Sequence, residues 1–184
     1  MTDSQVWVIS GPSAVGKGTV CSRLKERYPQ AYYSISMTTR PPRVGEVDGE
    51  SYYFVTPDRF AQLAAEGELL EWAVVHGTNS YGTPRGPVLD ALARGQQVVL
   101  EIDLQGARQV KENLPEARLI FLAPPSWDEL VNRLKGRGTE DEATQARRLA
   151  TARVELQDMA EADHVIVNER LDETVDALVS LMGL

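Results

Sequence analysis

Short apolar runs alternate with amphipathic segments along most of the chain. Residues with high β-propensity predict buried strands at 6–9, 97–103, 118–122 and 164–167. Segments with helical spacing of apolar positions lie between and around them, at about 17–27, 84–94, 104–113, 126–135 and 171–182. Continuous apolar strands joined by helices are typical of a parallel sheet that is covered on both faces. The pattern therefore predicts an α/β protein with a three-layer core.

Residues 34–84 depart from this alternation. They contain adjacent prolines, several glycines and many aromatic residues. Within them we expect a short strand between Ser51 and Val55 and one helix at about 57–66. This stretch predicts a small subdomain inserted into the core.

Residues 136–161 form a second departure from the alternation. Thr139 is a suitable N-cap, and Glu142 three positions later completes a capping box. An apolar stripe then recurs at helical spacing and predicts one packed face, at Leu149, Ala152, Leu156 and Met159. Glycines precede this helix, so we expect a hinged helical lid.

These patterns predict a single domain over 1–184 with three parts. The core would comprise 1–33, 85–135 and 162–184, the inserted subdomain 34–84, and the lid 136–161.

Composition and charge narrow the function classes. The net charge of -8 disfavours a nucleic-acid-binding protein, which needs a basic surface. No apolar stretch is long enough to span a membrane, and residues 1–10 lack the features of a signal peptide. Cys21 is the only cysteine, so an intrachain disulfide is excluded and we expect this residue to pack in the core. We expect a cytoplasmic protein.

A glycine-rich motif follows the first predicted strand directly and opens the first predicted helix. It matches G-x-x-x-x-G-K and comprises Gly11, Pro12, Ser13, Ala14, Val15, Gly16 and Lys17. Its glycines allow backbone N–H groups to surround phosphate oxygens, the helix N-terminus adds a positive dipole, and Lys17 adds a full charge. The context between strand and helix is the one that phosphate binding requires. Together with Gly18 and Thr19, which follow it, the motif predicts a site for ATP.

The residue after Lys17 departs from the usual motif. Gly18 occupies the position at which Ser or Thr contacts Mg²⁺, and Thr19 is rotated by about 100° around the helix. We therefore expect Mg²⁺ to be held through phosphates and water molecules and not by a direct protein ligand.

Several motifs, in order along the chain, resemble guanylate kinases, a family of P-loop nucleoside monophosphate kinases. Residues 34–43 followed by 45–49 are similar to the GMP-binding segment of that family. Further matches are Leu70-Glu71-Trp72-Ala73, Tyr81-Gly82-Thr83, Glu101-Ile102-Asp103-Leu104-Gln105-Gly106, Gly136-Arg137-Gly138-Thr139-Glu140 and Val165-Ile166-Val167-Asn168. The resemblance spans residues 6 to about 170. It implies ATP-dependent phosphorylation of GMP, with dGMP as an expected second acceptor.

The resemblance assigns an acceptor site within and beside the inserted subdomain. Arg40 and Arg43 would clamp the GMP phosphate, since guanidinium groups bind phosphate oxygens in pairs. Glu71 would accept hydrogen bonds from N1–H and N2–H₂ of guanine, a donor pair that adenine lacks. The remaining residues implied are Ser36, Tyr52, Tyr81, Thr83, Glu101 and Asp103. The family usually has Asp at position 101, so the role of Glu101 is open.

The predicted chemistry needs cations and no general base. The second pKa of a phosphate monoester is about 6, so the acceptor oxygen is already ionised at neutral pH. By resemblance, Lys17, Arg137 and Arg148 are the catalytic residues. Arg133 and Asn168 would contribute to the ATP site, the latter near adenine, and Arg147 would lie on the surface.

Two other functions stay open at this point. A ribose bisphosphate phosphokinase is a related enzyme class, but a sugar offers no guanine edge to Glu71. A guanylate-kinase-like binding module is the other possibility, although such modules tend to lose the lysine of the glycine-rich loop, which is present here as Lys17. GTPases and motor ATPases are disfavoured because the inserted subdomain indicates a second substrate.

Overall fold

The computed structural model describes residues 4–75, 77–136 and 141–184. Its strands are β1 (Val6–Ser10), β2 (Tyr32–Tyr33), β3 (Met37–Thr38), β4 (Tyr53–Phe54), β5 (Leu69–Val75), β6 (Asn79–Pro84), β7 (Val98–Glu101), β8 (Arg118–Ala123) and β9 (His164–Val167). Its α-helices are α1 (Lys17–Arg27), α2 (Pro57–Ala65), α3 (Arg85–Ala93), α4 (Leu104–Asn113), α5 (Trp127–Gly136), α6 (Glu142–Gln157) and α7 (Leu171–Met182).

The core sheet is parallel and has the strand order β2-β7-β1-β8-β9. Side chains alternate across it, as a strand requires. In β1, Trp7 and Ile9 belong to the cluster that includes residues of α1 and α7. Val6 and Val8 belong to the cluster that includes residues of α3 and α4. The predicted three-layer α/β core is therefore confirmed.

The four strands predicted for this core are confirmed as β1, β7, β8 and β9, with one shorter than expected. The apolar run at 97–103 gives a strand only over Val98–Glu101. The two-residue strand β2 was not predicted, because Tyr32–Tyr33 is too short to show a pattern. All five strands run in one direction, so the segments that follow β1, β7 and β9 meet at the same edge of the sheet.

A second, smaller sheet lies within residues 34–84, in the order β4-β3-β6-β5. Strands β5 and β6 form an antiparallel pair in which Glu71 is opposite Thr83. Helix α2 confirms the predicted helix of this stretch. It begins because the Thr56 hydroxyl accepts a hydrogen bond from the Arg59 N–H, and Pro57 occupies the first helical position.

Helix α4 connects the two sheets through side-chain amides. The Gln109 Oε1 atom accepts from the Trp72 N–H at 3.1 Å, and Gln109 Nε2 donates to the Trp72 carbonyl at 3.1 Å. One turn further on, Asn113 Nδ2 donates to the Leu70 carbonyl at 2.9 Å. Strand β5 is thus held against a helix that packs on the core sheet.

Helix α6 begins two residues later than its predicted capping box implies. Its N-cap is Asp141, whose carboxylate accepts from the Thr144 N–H at 2.7 Å. The predicted cap, Thr139, lies outside the described residues. Ala152 of the predicted stripe is 1% exposed, as expected. Met159 lies in a 3₁₀ turn beyond the end of the helix, so it does not extend the helical stripe. Within the described ranges, no helix is both long and apolar enough to cross a membrane.

Candidate active site

The glycine-rich loop connects β1 to α1 and has a backbone that only certain residues can adopt. Gly11 has φ of 150° and Gly16 has φ of 101°. A Cβ atom on Gly11 would lie 2.4 Å from the Leu122 carbonyl oxygen, which is too close for any side chain. Ala14, with φ of 67°, is the one residue other than glycine in the described ranges that has positive φ. The loop is therefore a strained and specific turn, as expected for a phosphate-binding loop.

Lys17 begins α1 and lies over the loop. Gly16, the N-cap of α1, has no side chain to occupy the first amides of the helix. The Lys17 ammonium donates to the carbonyl oxygens of Gly11 and Pro12. Burial lowers the pKa of Lys17, and the charges of Glu155, Glu101 and Asp103 oppose this effect. The loop thus places a partly desolvated cation beside uncapped amides, an arrangement suited to phosphate.

Glu101 ends β7 and faces the start of α1. A Cβ atom on Gly18 would lie 3.5 Å from Glu101 Oε1, so a larger residue at position 18 would contact this carboxylate. Desolvation raises the pKa of Glu101, although the residue as a whole is exposed. Cys21 is buried in the core, as predicted, and lies near Glu101. Thr19 is exposed one position further along α1.

Asn168 and Arg133 lie behind the glycine-rich loop and hold it in place. The Asn168 side chain, 7% exposed as a residue, donates to the Val15 carbonyl at 2.8 Å and accepts from the Thr174 hydroxyl at 3.0 Å. Arg133 donates to the carbonyls of Val15 and Asn168 at 3.2 and 3.0 Å. Both residues also line a crevice of about 280 Å³ together with Gly16 and Thr19. These contacts with the backbone of the loop were not foreseen from the sequence.

Helix α6 contacts the loop at Ser13. The Nε and Nη2 atoms of Arg148 donate to the Ser13 hydroxyl at 2.9 and 2.7 Å. Glu155, seven residues later on the same helix, accepts from the Ser13 N–H at 3.2 Å. Sequence reasoning missed Glu155, although its spacing from Arg148 puts both on one helical face. Arg147 is on the surface, as predicted, and Arg137 lies outside the described residues.

Glu71 is a buried carboxylate with a fixed orientation. It is 8% exposed, and its Oε1 atom accepts from the Thr83 hydroxyl at 2.7 Å. A Cβ atom on Gly106 would lie 2.9 Å from Glu71 Oε2, so this glycine in the first turn of α4 makes room for the carboxylate. Desolvation raises the pKa of Glu71, and the nearby charge of Asp103 raises it further. The Thr83 hydroxyl and the positive end of α4 favour the ionised form.

Asp103 does not end a strand, contrary to the sequence-based expectation. It lies two residues beyond β7 and is the N-cap of α4, where its carboxylate accepts from the Gly106 N–H at 2.7 Å. It therefore does not share a strand face with Glu101. Its charge influences both Lys17 and Glu71. Asp103 thus lies between the glycine-rich loop and the buried carboxylate of the small sheet.

Arg40 is surrounded by polar and aromatic groups of the small sheet. Its Nε atom donates to the Tyr81 hydroxyl at 3.2 Å, and Tyr52 lies beside both groups. Its two terminal nitrogens donate to the carboxylate of Glu46. Glu46 was part of the motif that resembles guanylate kinases, but the sequence assigned no role to it. The structure brings Arg40, Tyr52 and Tyr81 together, as predicted.

Arg43 and Ser36 are less enclosed. The exposed Arg43 donates its backbone N–H to Glu46 at 2.7 Å, and Ser36 precedes β3 and accepts from the Tyr53 N–H at 2.9 Å through its carbonyl. Tyr81 and Thr83 project from the same face of β6, since they are two residues apart. One strand face therefore links the arginine cluster to Glu71.

Comparison with known proteins identifies the family. The family model described as guanylate kinase matches residues 3–183. The guanylate kinase of Thermobifida fusca is 58% identical over 176 residues, which cover 96% of this chain and 89% of that protein. That of Leifsonia xyli is 57% identical over 175 residues, which cover 95% of this chain and 69% of that protein. The crystal structure of guanylate kinase from Anaplasma phagocytophilum superposes with a TM-score of 0.77 at 34% identity, covering 100% of this chain and 86% of that one. This chain therefore belongs to the guanylate kinase family.

Proposed function

We propose that this protein transfers the γ-phosphoryl group of ATP to GMP, and also to dGMP, giving ADP and the corresponding diphosphate. The observation that carries the proposal is Glu71, a carboxylate buried in the small sheet and oriented by Thr83. Its two oxygens suit two adjacent donors, which the guanine edge offers through N1–H and N2–H₂. Adenine would leave this buried carboxylate without partners, at a cost of about 1–3 kcal/mol or more.

The donor nucleotide is assigned to the glycine-rich loop. Its backbone amides and Lys17 would hold the β- and γ-phosphates, and the crevice beside Asn168 and Arg133 would take the rest of ATP. In this assignment the Asn168 side chain has two roles: it supports the loop by donating to the Val15 carbonyl, and it would lie near the adenine of ATP. Residues 34–84 would serve as the acceptor-binding subdomain and 136–161 as the lid.

The reaction needs no group to remove a proton. The phosphate of GMP is mostly ionised at neutral pH, so its oxygen can attack the γ-phosphorus directly. The main obstacle is repulsion between two anions. Lys17 would neutralise charge on the donor side, and Arg148, already in contact with Ser13 of the loop, would do so from the lid together with Arg137. The lid would also exclude water, which could otherwise accept the phosphoryl group.

The proposed reaction includes Mg²⁺ that arrives with ATP. Within the described ranges, no group of three or more His, Cys, Asp or Glu residues could hold a metal ion. Glu101 and Asp103 lie near Lys17 and could bind water molecules around an ion that arrives with ATP. Mg²⁺ suits such a site because it retains water and phosphate ligands and would neutralise phosphate charge when bound. The proposed activity belongs to cytoplasmic purine nucleotide metabolism.

The test is ADP release from ATP with GMP, dGMP, AMP, CMP, UMP or no acceptor, with and without Mg²⁺. We expect turnover with GMP and dGMP that depends on Mg²⁺. Folded protein that binds GMP without turnover would instead support a binding module. Turnover with a phosphorylated ribose and not with GMP would support the ribose bisphosphate phosphokinase.

A further inference from the structure

The guanidinium group of Arg40 is held along one edge by a single carboxylate. Its Nη1 and Nη2 atoms donate to Glu46 Oε2 and Oε1, both at 2.9 Å. The other N–H of Nη1 donates to the Pro41 carbonyl at 2.9 Å. This bidentate contact uses the end-on edge of the guanidinium, the edge formed by its two terminal nitrogens.

The opposite, side-on edge of Arg40 has a different environment. It consists of Nε–H and the outward N–H of Nη2. The Tyr81 hydroxyl accepts from Nε at 3.2 Å, so its own O–H is available to donate elsewhere. Among the described residues, no acceptor is within hydrogen-bond distance of the outward N–H of Nη2. Two donors, one from Arg40 and one from Tyr81, therefore lie side by side.

Glu46 is itself fixed by the turn that carries Arg43. Its Oε2 atom also accepts from the Arg43 N–H at 2.7 Å, and its own N–H donates to the Arg43 carbonyl at 3.0 Å. The side chains of Arg40 and Glu46 are only 11% and 20% exposed. The hydrogen bonds from Arg40 and from the Arg43 backbone lower the pKa of Glu46 to about 2, so it stays ionised. This carboxylate therefore links the two arginines assigned to the acceptor phosphate.

Aromatic rings complete the support of Arg40. The Cζ atom lies 5.4 Å from the ring centroid of Tyr52 and 5.9 Å from that of Phe54. At these distances the ring faces attract the guanidinium electrostatically. With the end-on edge occupied and the rings beside it, the side-on edge is the one that a ligand can reach.

We propose that Glu46 is a positioning residue for the acceptor phosphate. It accepts hydrogen bonds from the end-on edge of Arg40 and from the Arg43 N–H. The side-on edge of Arg40 and the Tyr81 hydroxyl then face the phosphate and bind it together. The inference rests on the proposed function and deepens it, since it names the edge that the phosphate contacts. The rival interpretation is that Glu46 imitates the phosphate and competes with it for Arg40. The two interpretations predict changes of opposite sign when Glu46 is neutralised.

The experiment compares Glu46→Gln with the unchanged protein and with Glu50→Gln, an exposed glutamate of the same segment. Calorimetry gives the Kd of GMP, and inhibition kinetics give the Ki of guanosine, which has the base but no phosphate. For Glu46→Gln we expect a Kd for GMP about tenfold higher, because the amide has only one acceptor oxygen and its NH₂ would face one of the two donating nitrogens of Arg40. The Ki of guanosine and the KM of ATP should not change, and Glu50→Gln should match the unchanged protein.

Each other outcome has a definite meaning. Tighter binding of GMP to Glu46→Gln would establish competition and overturn the inference, and an unchanged Kd would also overturn it. Equal weakening of GMP and guanosine would show a general disturbance of the subdomain and not positioning of the phosphate. If the unchanged protein bound neither GMP nor guanosine, the proposed function itself would fail. If only the result for Glu46→Gln differed from the expectation, the inference about Glu46 alone would fail.

Discussion

The glycine-rich loop and the small sheet are built in different ways, although both are assigned to phosphate-bearing ligands. The loop offers backbone amides in a turn that depends on Gly11 and Gly16 and on close packing against β8. The small sheet offers side chains, with Glu71 and Arg40 oriented by Thr83 and Glu46. A site made of backbone groups depends on the absence of side-chain atoms: the glycines have no Cβ atom, and the N-cap has no side chain that could bind the first amides of the helix. A site made of side chains depends on pairs of residues that orient each other, here pairs 12 and 6 positions apart in sequence.

This difference leads to different expectations for substitution. Changes in the loop should affect the donor site and the folded structure together, because the loop joins β1 to α1 and packs against β8. Changes in the small sheet should affect the acceptor alone. The following variants test that separation, beginning with the largest expected effect.

Replacing Lys17 with Met should lower kcat by about 10²–10³, because the only charged group of the loop itself is lost. The Kd of GMP should remain within about twofold, since Glu71 and Arg40 are untouched. Steady-state kinetics and calorimetry measure the two quantities. Lys25→Met, an exposed lysine further along α1, is the control and should have no effect on either.

Gly11→Ala should destabilise the protein by about 2–4 kcal/mol, because its Cβ atom would overlap the Leu122 carbonyl and its φ of 150° is strained for alanine. Urea unfolding gives the free energy, and the KM of ATP should rise in the same variant. Gly86→Ala is the matched control, since a Cβ atom there meets nothing within 4 Å. Equal stability of the two variants would contradict the account of the loop.

Glu71→Gln should raise the KM of GMP about 10- to 100-fold, by removing one acceptor from a desolvated site, and leave the KM of ATP nearly unchanged. Because the pKa of Glu71 is raised, its ionised form costs stability above the usual glutamate pKa. The neutral variant should therefore melt no lower than the unchanged protein. Equal losses for GMP and ATP would mean that the acceptor pocket is elsewhere.

The smallest effect is expected from pH. A raised pKa means that Glu71 takes up its proton at a higher pH than an ordinary glutamate, and the protonated group can no longer accept from two donors. Binding of GMP should weaken several-fold as the pH falls towards that pKa. The phosphate of GMP titrates near pH 6 as well. Dividing the Kd of Glu71→Gln by the Kd of the unchanged protein cancels this contribution, and this ratio should shrink on acidification.

The sequence predicted the core well because periodicity and glycine spacing are local signals. The strand and helix around Gly11–Lys17 are adjacent in the chain, so one motif specifies the whole turn. Contacts between distant residues were not predictable in this way. The support of Val15 by Asn168 and the contact of Glu155 with Ser13 join positions more than 140 residues apart. Asp103 was misplaced because an apolar run does not show where a strand gives way to a helix cap.

Residues of the small sheet became interpretable mainly through resemblance to a family. Strands β3 and β4 have two residues each, too few to show an alternating pattern. The sequence drew attention to Arg40 and Arg43 because guanidinium groups suit phosphate. It could not show that Glu46 holds the end-on edge of Arg40, since that depends on how the turn folds back.

The side-chain amides of Gln109 and Asn113 on α4 have a consequence for solubility. Strand β5 is an edge of the small sheet, and an exposed edge can pair with a strand of another molecule. At Trp72 both the N–H and the carbonyl are already paired with Gln109, and the Leu70 carbonyl is paired with Asn113. The helix thereby takes the place of a neighbouring strand over this stretch. It blocks edge-to-edge association and aggregation there without adding a strand to the fold.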